Sequence, residues 1–529
     1  MTPPRASFRR GPNVQGRGNH ANLQPSRRNL IRQGRVRRGP NVQGRGNHAN
    51  LQPPRRNLIW QGRVGIREIL TPKRQMLKMI VSTLQPLELA EDDNFLDFVK
   101  ALNPSHQIPT KSEIRSDFLN IYKENENKLR SILASADEIV LTCELWYLRP
   151  EDSYLTVGCH FVDIHGNLMS YMLKTTSLFG DESAANIKNQ LSAVMEAWCV
   201  KEKVHSVVRA GMPQLKKVQT KWTDMPCFAD TLNVVFKDLM SNDALLNVLR
   251  KCQNIVRFFK YNSEAERKLR AIQNQLNMEQ DELIMYSGDR WLPWLHMLRR
   301  LMQQYQAMVM VFDERGKTDL ILNENDKEKI KKIISALEPL RKATSMMKGE
   351  GFQTISAMLP VLKSLMDNLR EEEKRKNDVA RTLLSKCKEE FGNVNNHPLA
   401  LNTFLDPRFK NQLGDQNKKR AMDKIKRELT PGPASSSPTK LKDLLERYMA
   451  YEPTAETSNP LAWWRHTGKK NFGELSKLAL KKLGVVSTAV PLERAFSSAG
   501  DRFCNLRSAI EPENLNMILF LNSNWSTKY

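Results

Sequence analysis

The chain has 529 residues and a mass of 60.9 kDa, which is enough for two to four domains. Hydrophobic residues make up 40% of it, and no run of about eighteen apolar residues occurs, so a membrane-spanning helix and a membrane partner are excluded. Lys and Arg number 82 against 58 Asp and Glu, a net charge of +24. Residues 1–64 carry +14 of this charge through fourteen Arg, with no Lys, Asp or Glu, which predicts a basic arm and a polyanionic partner.

The basic arm is built from a tandem repeat. The segment Arg9–Val36 recurs at Arg37–Val64 with two positions changed. Each copy has several Gly and Pro and one short apolar cluster, so it cannot bury enough surface to offset chain entropy, and we expect disorder. Its Gln-Gly-Arg-Gly pieces are typical of segments that bind DNA or RNA through charge and stacking. The alternative is that a repeated stretch of DNA was captured as coding sequence and is simply solvated.

Cysteine usage indicates the compartment. The seven Cys are odd in number, form no Cys-x-x-Cys pair, and do not lie near a His at zinc-finger spacing. We therefore expect a reduced, intracellular protein with no bound metal and no cofactor. The Arg-rich start overlaps in composition with a mitochondrial transit peptide, but its Gly, Pro and Asn do not favour an amphipathic helix.

Beyond the arm, residues 65–134 are predicted to be helical. Apolar residues recur at helical spacing near Met76–Leu84, in a second helix that ends at Leu102, and over Lys111–Ala134. Two prolines separate the second helix from the third.

Residues 135–260 combine strands with one helix. The β-branched run Ile139–Cys143 predicts a buried strand, and Tyr154–Val162 and Asn167–Thr175 predict a hairpin around an Ile-His-Gly-Asn turn. A helical stripe then leads to a fourth strand at Val204–Val208. This order predicts an α/β core in which strand four lies beside strand one.

The remaining chain is predicted to be almost wholly helical. Apolar stripes mark residues 245–259 and 330–340, and Pro360 is expected to kink a later helix. The Pro- and Ser-rich run Pro431–Pro438 predicts a flexible linker, and helical patterning returns over residues 461–525.

One acid, Glu144, directly follows the first predicted strand. A metal-dependent phosphoryl-transfer site needs several carboxylates that converge on two divalent ions, and strand ends of an α/β core can supply them. The alternative is a helix N-cap or a solvated turn, and the spacing alone does not decide between the two.

Six short motifs occur in order along the chain. They occupy residues 141–146, 227–233, 289–291, 404–410, 460–464 and 491–500. Together they resemble the landmarks of hAT-superfamily transposases, and in particular the host proteins with BED zinc fingers that derive from such transposases. The resemblance extends over roughly residues 77–526.

The resemblance implies an α/β plus α fold, in which an RNase H-like core is interrupted by a long all-helical insertion. The predicted domains are a disordered Arg-rich arm, a helical N-terminal region, the first part of the core, the insertion, a linker, and a helical C-terminal dimerisation region that completes the core. Their boundaries are 1–64, 65–134, 135–260, 261–430, 431–440 and 441–529.

The family cuts and joins DNA with three carboxylates, and two of these positions are altered here. The first, normally Asp, falls on Glu144, and the third falls on Glu493. The second falls on Ala210, whose methyl group cannot ligate a metal. Arg209 is expected to place a positive charge beside the ions. The longer side chain of Glu144 also shifts its carboxylate, and catalytic geometry tolerates displacements of only about 0.5 Å. The resemblance therefore implies an inactive, nuclear remnant of a DNA transposase.

Two other hypotheses remain open. In one the enzyme is active, and Asp224 or Asp230 replaces the missing carboxylate after local rebuilding of the chain. In the other the protein is an interaction scaffold whose arm never touches nucleic acid.

Asp230 also replaces the His of the family's Cys-x-x-His pattern. No Cys precedes the core to build a BED finger, so sequence-specific DNA recognition is not predicted.

The Asp-Arg-Trp motif is intact. In relatives a Trp at a similar position stacks near the transposon end, so Arg290 and Trp291 are predicted to contact nucleic acid. The alternative is that Trp291, together with Trp294, anchors the helices of the insertion.

The C-terminal region is predicted to self-associate into a dimer or a larger oligomer. Its helical segments carry more apolar side chains than a small segment can hide within itself, and either a second copy or the core can cover them. The predicted dimerisation residues are Leu475, Leu478, Phe496, Leu515, Ile518 and Leu519.

Overall fold

The computed structural model describes residues 71–105, 109–147, 151–217, 220–288, 290–348, 354–429, 438–489 and 512–525. The arm, residues 431–437 of the predicted linker, Glu493 and Phe496 lie outside the described residues, so what was predicted for them stays a prediction. Residues 438–440, which the linker was predicted to include, are helical. Within the described residues, no helix combines the length and the apolar character that a bilayer span requires.

Three helices precede the sheet, as the apolar spacing predicts. They are α1 (Pro72–Thr83), α2 (Asp93–Leu102) and α3 (Lys111–Ala134). Helix α3 begins with a capping box, in which the Thr110 hydroxyl accepts a hydrogen bond from the Glu113 N–H and the Glu113 carboxylate accepts one from the Thr110 N–H. The pair satisfies two groups at the helix start, which explains why α3 begins where it does.

The core is a mixed five-stranded sheet with the order β3-β2-β1-β4-β5. The strands are β1 (Ile139–Tyr147), β2 (Ser153–Val162), β3 (Leu168–Ser177), β4 (Val204–Ala210) and β5 (Thr223–Pro226), with α4 (Ala184–Ala197) between β3 and β4. β1 pairs antiparallel with β2 and parallel with β4, so the prediction that strand four lies beside strand one is confirmed. β5 was not predicted, because its four residues show no alternation and end in Pro.

Successive side chains on a strand point to opposite faces, so β1 contributes to two cores. Val140 packs on one face with Val208 and Ala210 of β4, in a cluster that includes the helices after the sheet. Leu141 and Cys143 pack on the other face, in a cluster that includes the three N-terminal helices and the last helix of the chain.

The chain after β5 is helical, as predicted. The helices are α5 (Phe228–Met240), α6 (Asp243–Lys260), α7 (Ser263–Gln275), α8 (Trp291–Glu314), α9 (Glu324–Lys348), α10 (Met358–Lys374), α11 (Asp378–Phe391), α12 (Ala400–Leu405), α13 (Asp415–Leu429), α14 (Pro438–Ala450), α15 (Pro460–Trp463), α16 (Lys469–Phe472), α17 (Glu474–Leu483) and α18 (Pro512–Asn524).

The prediction that Pro360 kinks a helix is wrong. Helix α10 begins at Met358, so Pro360 lies in its first turn. The N–H groups of the first turn have no intrahelical acceptor, and a proline there removes no helical hydrogen bond. Pro339, in contrast, lies inside α9.

Helix α18 closes one edge of the sheet. β3 is the outermost strand on its side, and an open edge would leave backbone groups unpaired. The Asn524 amide accepts a hydrogen bond from the Met172 N–H at 3.1 Å and donates one to the Met172 carbonyl at 2.8 Å. Asn516 accepts one from the Thr175 N–H at 2.8 Å. The side-chain amides of Asn516 and Asn524 therefore bind backbone groups of β3 that a neighbouring strand would otherwise bind.

The motif at 404–410 joins the insertion to the C-terminal region. The fully buried Asp406 accepts two hydrogen bonds from the Arg408 guanidinium, at 2.9 and 2.7 Å. The buried Lys410 ammonium donates to the backbone carbonyls of Tyr448 and Met449, at 2.7 and 3.0 Å, at the end of α14. Each of these buried charges has several hydrogen-bond partners, which offset the cost of removing it from water.

Candidate functional site

The pairing of β1 with β4 brings two of the predicted catalytic positions together. Glu144 and Ala210 are direct partners in the parallel register, so their side chains lie on the same face of the sheet. They are 7% and 3% exposed. β1 continues past Glu144 to Tyr147, so this acid lies within the strand and not at its end, as the sequence had suggested.

The surroundings of Glu144 on this face are polar. Thr156 of β2 lies opposite Glu144, and Thr175 of β3 lies opposite Thr156. The two hydroxyl oxygens are 2.8 Å apart, and the Trp146 indole N–H donates to the Thr156 hydroxyl at 2.9 Å. The carboxylate is therefore one member of a buried polar row that crosses the sheet from β1 to β3.

The expectation that Arg209 places its charge beside the ions is wrong, because its side chain does not lie on the face of Glu144. Arg209 pairs with Cys143, not Glu144, and so points to the opposite face of the sheet. There its Nε donates to both carboxylate oxygens of Asp224 at 2.8 and 2.9 Å, and a terminal nitrogen donates to the Met212 carbonyl at 3.1 Å. Asp224 is held in this ion pair and is no substitute for the missing carboxylate.

Asp230 comes much closer to the site than was expected. It lies in the first turn of α5, and its Oδ2 accepts a hydrogen bond at 2.9 Å from the N–H of Gly211, the residue after Ala210. Gly211 has φ +73°, and a Cβ there would lie 3.0 Å from the Leu145 carbonyl oxygen of β1. The carboxylate thus reaches the carboxyl end of β4 without rebuilding of the chain, which corrects the earlier expectation.

The segment that leads towards Glu493 is held at the same end of the sheet. The Cys227 N–H donates to the Arg209 carbonyl at 2.8 Å, which places Cys227 at the end of β4. The Ala489 N–H donates to the Cys227 sulfur at 3.4 Å, and the Phe228 N–H donates to the Ser487 carbonyl at 3.0 Å. Ala489 is the last described residue before Glu493, which itself lies outside the described part.

These residues do not fit the paired divalent ions that the family resemblance implies. Two ions need several converging carboxylates, and the position opposite Glu144 carries a methyl group. In the described ranges, His, Cys, Asp and Glu form no group of three or more that could hold a metal ion. We therefore derive no metal-dependent step at this site.

The structure places Trp291 in the interior. It is the first residue of α8 and is 3% exposed, so neither face of its ring is open to a base. Its neighbour Trp294 is also buried and donates from its indole nitrogen to the Gly288 carbonyl at 2.9 Å. The prediction of base stacking by Trp291 is corrected by this burial, which favours an anchoring role, whereas Arg290 remains exposed.

The predicted dimerisation residues are also interior. Leu475 and Leu478 of α17 pack into the helical core. Leu515, Ile518 and Leu519 of α18 pack against the sheet and the N-terminal helices. Of the two alternatives, the core of the same chain is therefore what covers these five side chains, and Phe496 lies outside the described residues.

Three family descriptions match the chain, in an order that follows the structure. Residues 142–224, which span β1 to β5, match the ZBED1 RNase-like domain. Residues 225–336, which run from α5 to about the middle of α9, match the ZBED1 RNase-like helical domain. Residues 444–525 match the hAT family C-terminal dimerisation region.

The relatives with similar sequences include BED zinc-finger proteins and transposases. The chain is 22% identical over 503 residues to the zinc finger BED domain-containing protein 4 of Homo sapiens. The aligned region covers 84% of this chain and 43% of that protein. The chain is 22% identical over 507 residues to a putative AC transposase of Zea mays, with 82% of this chain and 62% of the relative covered. The zinc finger BED domain-containing protein RICESLEEPER 3 of Oryza sativa subsp. japonica is 21% identical over 361 residues, 64% of this chain and 48% of its own length. The chain thus spans less than two thirds of the length of each.

The fold and these matches define a transposase-like protein with RNase-like domains and a dimerisation region. The chain carries the hAT C-terminal dimerisation region and the ZBED1 RNase-like domains, and its homologues include BED zinc-finger proteins and AC transposases.

Proposed function

We propose that this protein is a catalytically inactive descendant of an hAT transposase that binds nucleic acid largely without sequence preference and self-associates in the nucleus. In this proposal the sheet belongs to an RNase H-like core, the predicted insertion of residues 261–430 corresponds to α7 to α13, and the C-terminal region returns to β3 through α18. Inactivity is supported most directly by one observation, the register that sets the Ala210 methyl group opposite Glu144. Without a carboxylate there, the paired ions of strand transfer lack a shared ligand.

A cleavage assay tests the loss of catalysis. We expect no magnesium- or manganese-dependent cleavage or joining of labelled DNA by the full chain. The variant Ala210→Asp places a carboxylate beside Glu144, and we expect it to bind Mn²⁺ more tightly than the matched amide control Ala210→Asn. Cleavage by the unaltered chain that disappears in Glu144→Gln would contradict the proposal.

A second candidate is an active nuclease or transposase, and the position of Asp230 is the observation that favours it. Its carboxylate lies at the end of β4, one residue from Ala210. If it serves as the missing ligand, the unaltered chain cleaves DNA and Asp230→Asn abolishes the activity. If Asp230 only caps the turn at Gly211, the same variant changes stability alone.

We propose self-association through residues 444–525, the segment that matches the dimerisation region. No large apolar side chain is exposed in the described part of this segment, so the contact cannot rest on Leu475, Leu478 or the leucines of α18 in the conformation seen. Light scattering at micromolar concentration is expected to show a dimer or larger. A single species of 60.9 kDa would remove the proposal.

Nucleic-acid binding is proposed from the charge of the chain and from its transposase relatives. The arm of residues 1–64 carries +14 of the net +24, so we expect DNA or RNA affinity to fall steeply with salt. Mobility shifts over a salt series, with and without residues 1–64, measure the share of the arm. Absence of any shift at low salt would favour the alternative of a pure interaction scaffold.

A further inference from the structure

A basic groove of about 600 Å³ lies between helix α13 and the loop after α11. Four cationic side chains line it with a single carboxylate, that of Asp423. The four cations are Lys419, Arg420, Lys424 and Arg427. We call this surface the α13 groove. Its other lining residues are uncharged, namely Asn396, Pro398 and Gln416.

The helix spaces these cations along one line. Arg420, Lys424 and Arg427 follow one another at intervals of about one turn, so they share a face of α13. The rise from Lys419 to Arg427 is about 12 Å at ~1.5 Å per residue. One strand of a DNA duplex advances about 3.4 Å per nucleotide, so this length faces about three to four phosphates.

The cations are not neutralised by neighbouring acids. In the part of the chain that the structure describes, none of the four forms an ion pair with a carboxylate. Arg420 instead donates to the Asn396 side chain at 3.0 Å, which holds it at the rim of the groove. Helix surfaces elsewhere pair their cations with acids, as Lys331 does with Glu328 at 2.6 Å. The α13 groove therefore keeps its charge available to a ligand.

The accumulated charge is unfavourable in the empty protein. Burial lowers the pKa of Lys424, and the nearby charge of Lys482 lowers it further. Arg420 and Arg427 act in the same direction, whereas Glu428 opposes them. Glu428 is itself engaged by Lys482, from α17, at 2.8 Å. Entry of an anion would relieve this mutual repulsion.

We propose that the α13 groove binds the phosphate backbone of a DNA duplex, with its four cations on consecutive phosphates. This inference rests on the proposed function, because it assigns a surface to the nucleic-acid binding proposed above. Ammonium and guanidinium groups bind phosphate oxygens through charge-assisted hydrogen bonds, and such contacts position a duplex without reading its sequence. Single-stranded nucleic acid is bound by stacking on aromatic rings, and the described lining contains none.

The test measures how duplex affinity depends on salt, with the full chain. The groove variant carries Lys419→Gln, Arg420→Gln, Lys424→Gln and Arg427→Gln. Its logarithmic salt slope is expected to be smaller by about 3 to 4, at about 0.9 per phosphate, so from 50 to 200 mM salt the unaltered chain loses about 100-fold more affinity than the variant. The control removes the same charge from exposed, ion-paired positions through Lys331→Gln, Lys374→Gln, Arg375→Gln and Lys477→Gln. We expect it to keep the original slope to within about one unit.

Each outcome decides a separate claim. Equal slopes for groove variant and control would overturn the groove assignment while leaving the proposed function intact. A full chain that binds no duplex at any salt concentration would overturn both. Tighter binding of single-stranded RNA than of duplex, lost in the groove variant, would overturn the duplex assignment. Should the groove variant fail to fold, the exposed pair Lys419→Gln and Arg427→Gln is expected to lower the slope by about 2.

Discussion

Asn524→Ala is expected to open the edge of the sheet at β3. Asn524 is fully buried, and its amide makes both hydrogen bonds to the backbone of Met172, one as acceptor at 3.1 Å and one as donor at 2.8 Å. Alanine keeps the helix but removes both partners at once. The N–H and the carbonyl of Met172 are then left without their protein partner at a buried position.

The magnitude follows from these two groups. A buried backbone group that loses its partner costs about 1–3 kcal/mol, and water that enters the space left by the amide recovers part of this. We therefore expect about 2–4 kcal/mol in total, a large share of the 5–15 kcal/mol that stabilises a typical domain. Since about 1.4 kcal/mol is a factor of ten, the protection of β3 amides should fall about 30- to 1000-fold.

Hydrogen exchange of the peptide that covers Leu168–Ser177 measures the effect. The matched control is Ser523→Ala, whose hydroxyl touches the same Met172 only at its sulfur, at 3.8 Å. Asn516→Ala removes one bond to the strand, from the Thr175 N–H, and one to the Tyr122 hydroxyl, and should have a smaller effect on β3. If Asn524→Ala exchanges as slowly as the serine control, α18 does not close the edge through its amide. An open edge should also promote association of chains, which size-exclusion chromatography detects.

Three further predictions concern buried or strained positions. Lys410→Met removes an ammonium that donates to the carbonyls of Tyr448 and Met449, and should lower the free energy of unfolding in urea by about 2–4 kcal/mol because two buried carbonyls lose their donor; a loss below ~1 kcal/mol would contradict its role at the end of α14. Burial and the charges of Lys481 and Lys482 lower the pKa of His205 to about 4 from 6.5. The unfolded chain therefore takes up this proton first, and stability should fall by up to about 3 kcal/mol as pH drops from 6.5 to 4, a loss that His205→Gln removes. Phe179 is 92% exposed at φ +51°, so Phe179→Asn should raise the urea midpoint through about 1 kcal/mol of relieved strain, and an unchanged midpoint would show that the turn stores none.

Local signals account for the parts of the fold that sequence reasoning predicted. The Thr110-to-Glu113 capping box and the apolar spacing after it define α3 within a few residues. The hairpin of β2 and β3 follows from alternation around a turn in which Gly166 adopts φ +82°. The neighbour of β1 was predictable because a parallel strand that follows a helix packs back beside an earlier strand.

Other features depended on partners distant in the sequence. The charge at Arg209 was assigned to the wrong face because its partner Asp224 lies on β5, a strand too short to show a pattern. The basic face of α13 was passed over because acids interleave with its cations in the sequence, and only the folded structure shows that four cations share the groove with a single carboxylate.

By itself the sequence determined the local elements, the resemblance to hAT transposases, and the methyl group at position 210, because these are properties of short stretches and of residue identity. Only the tertiary structure decided that Trp291 and the leucines of α18 face inward and that Asp230 reaches the end of β4. Apolar periodicity predicts that one face of a helix or strand will be buried, but it does not predict which segment will cover that face. That choice is made by segments as distant as Met172 and Asn524, which lie 352 residues apart and meet only in the folded chain.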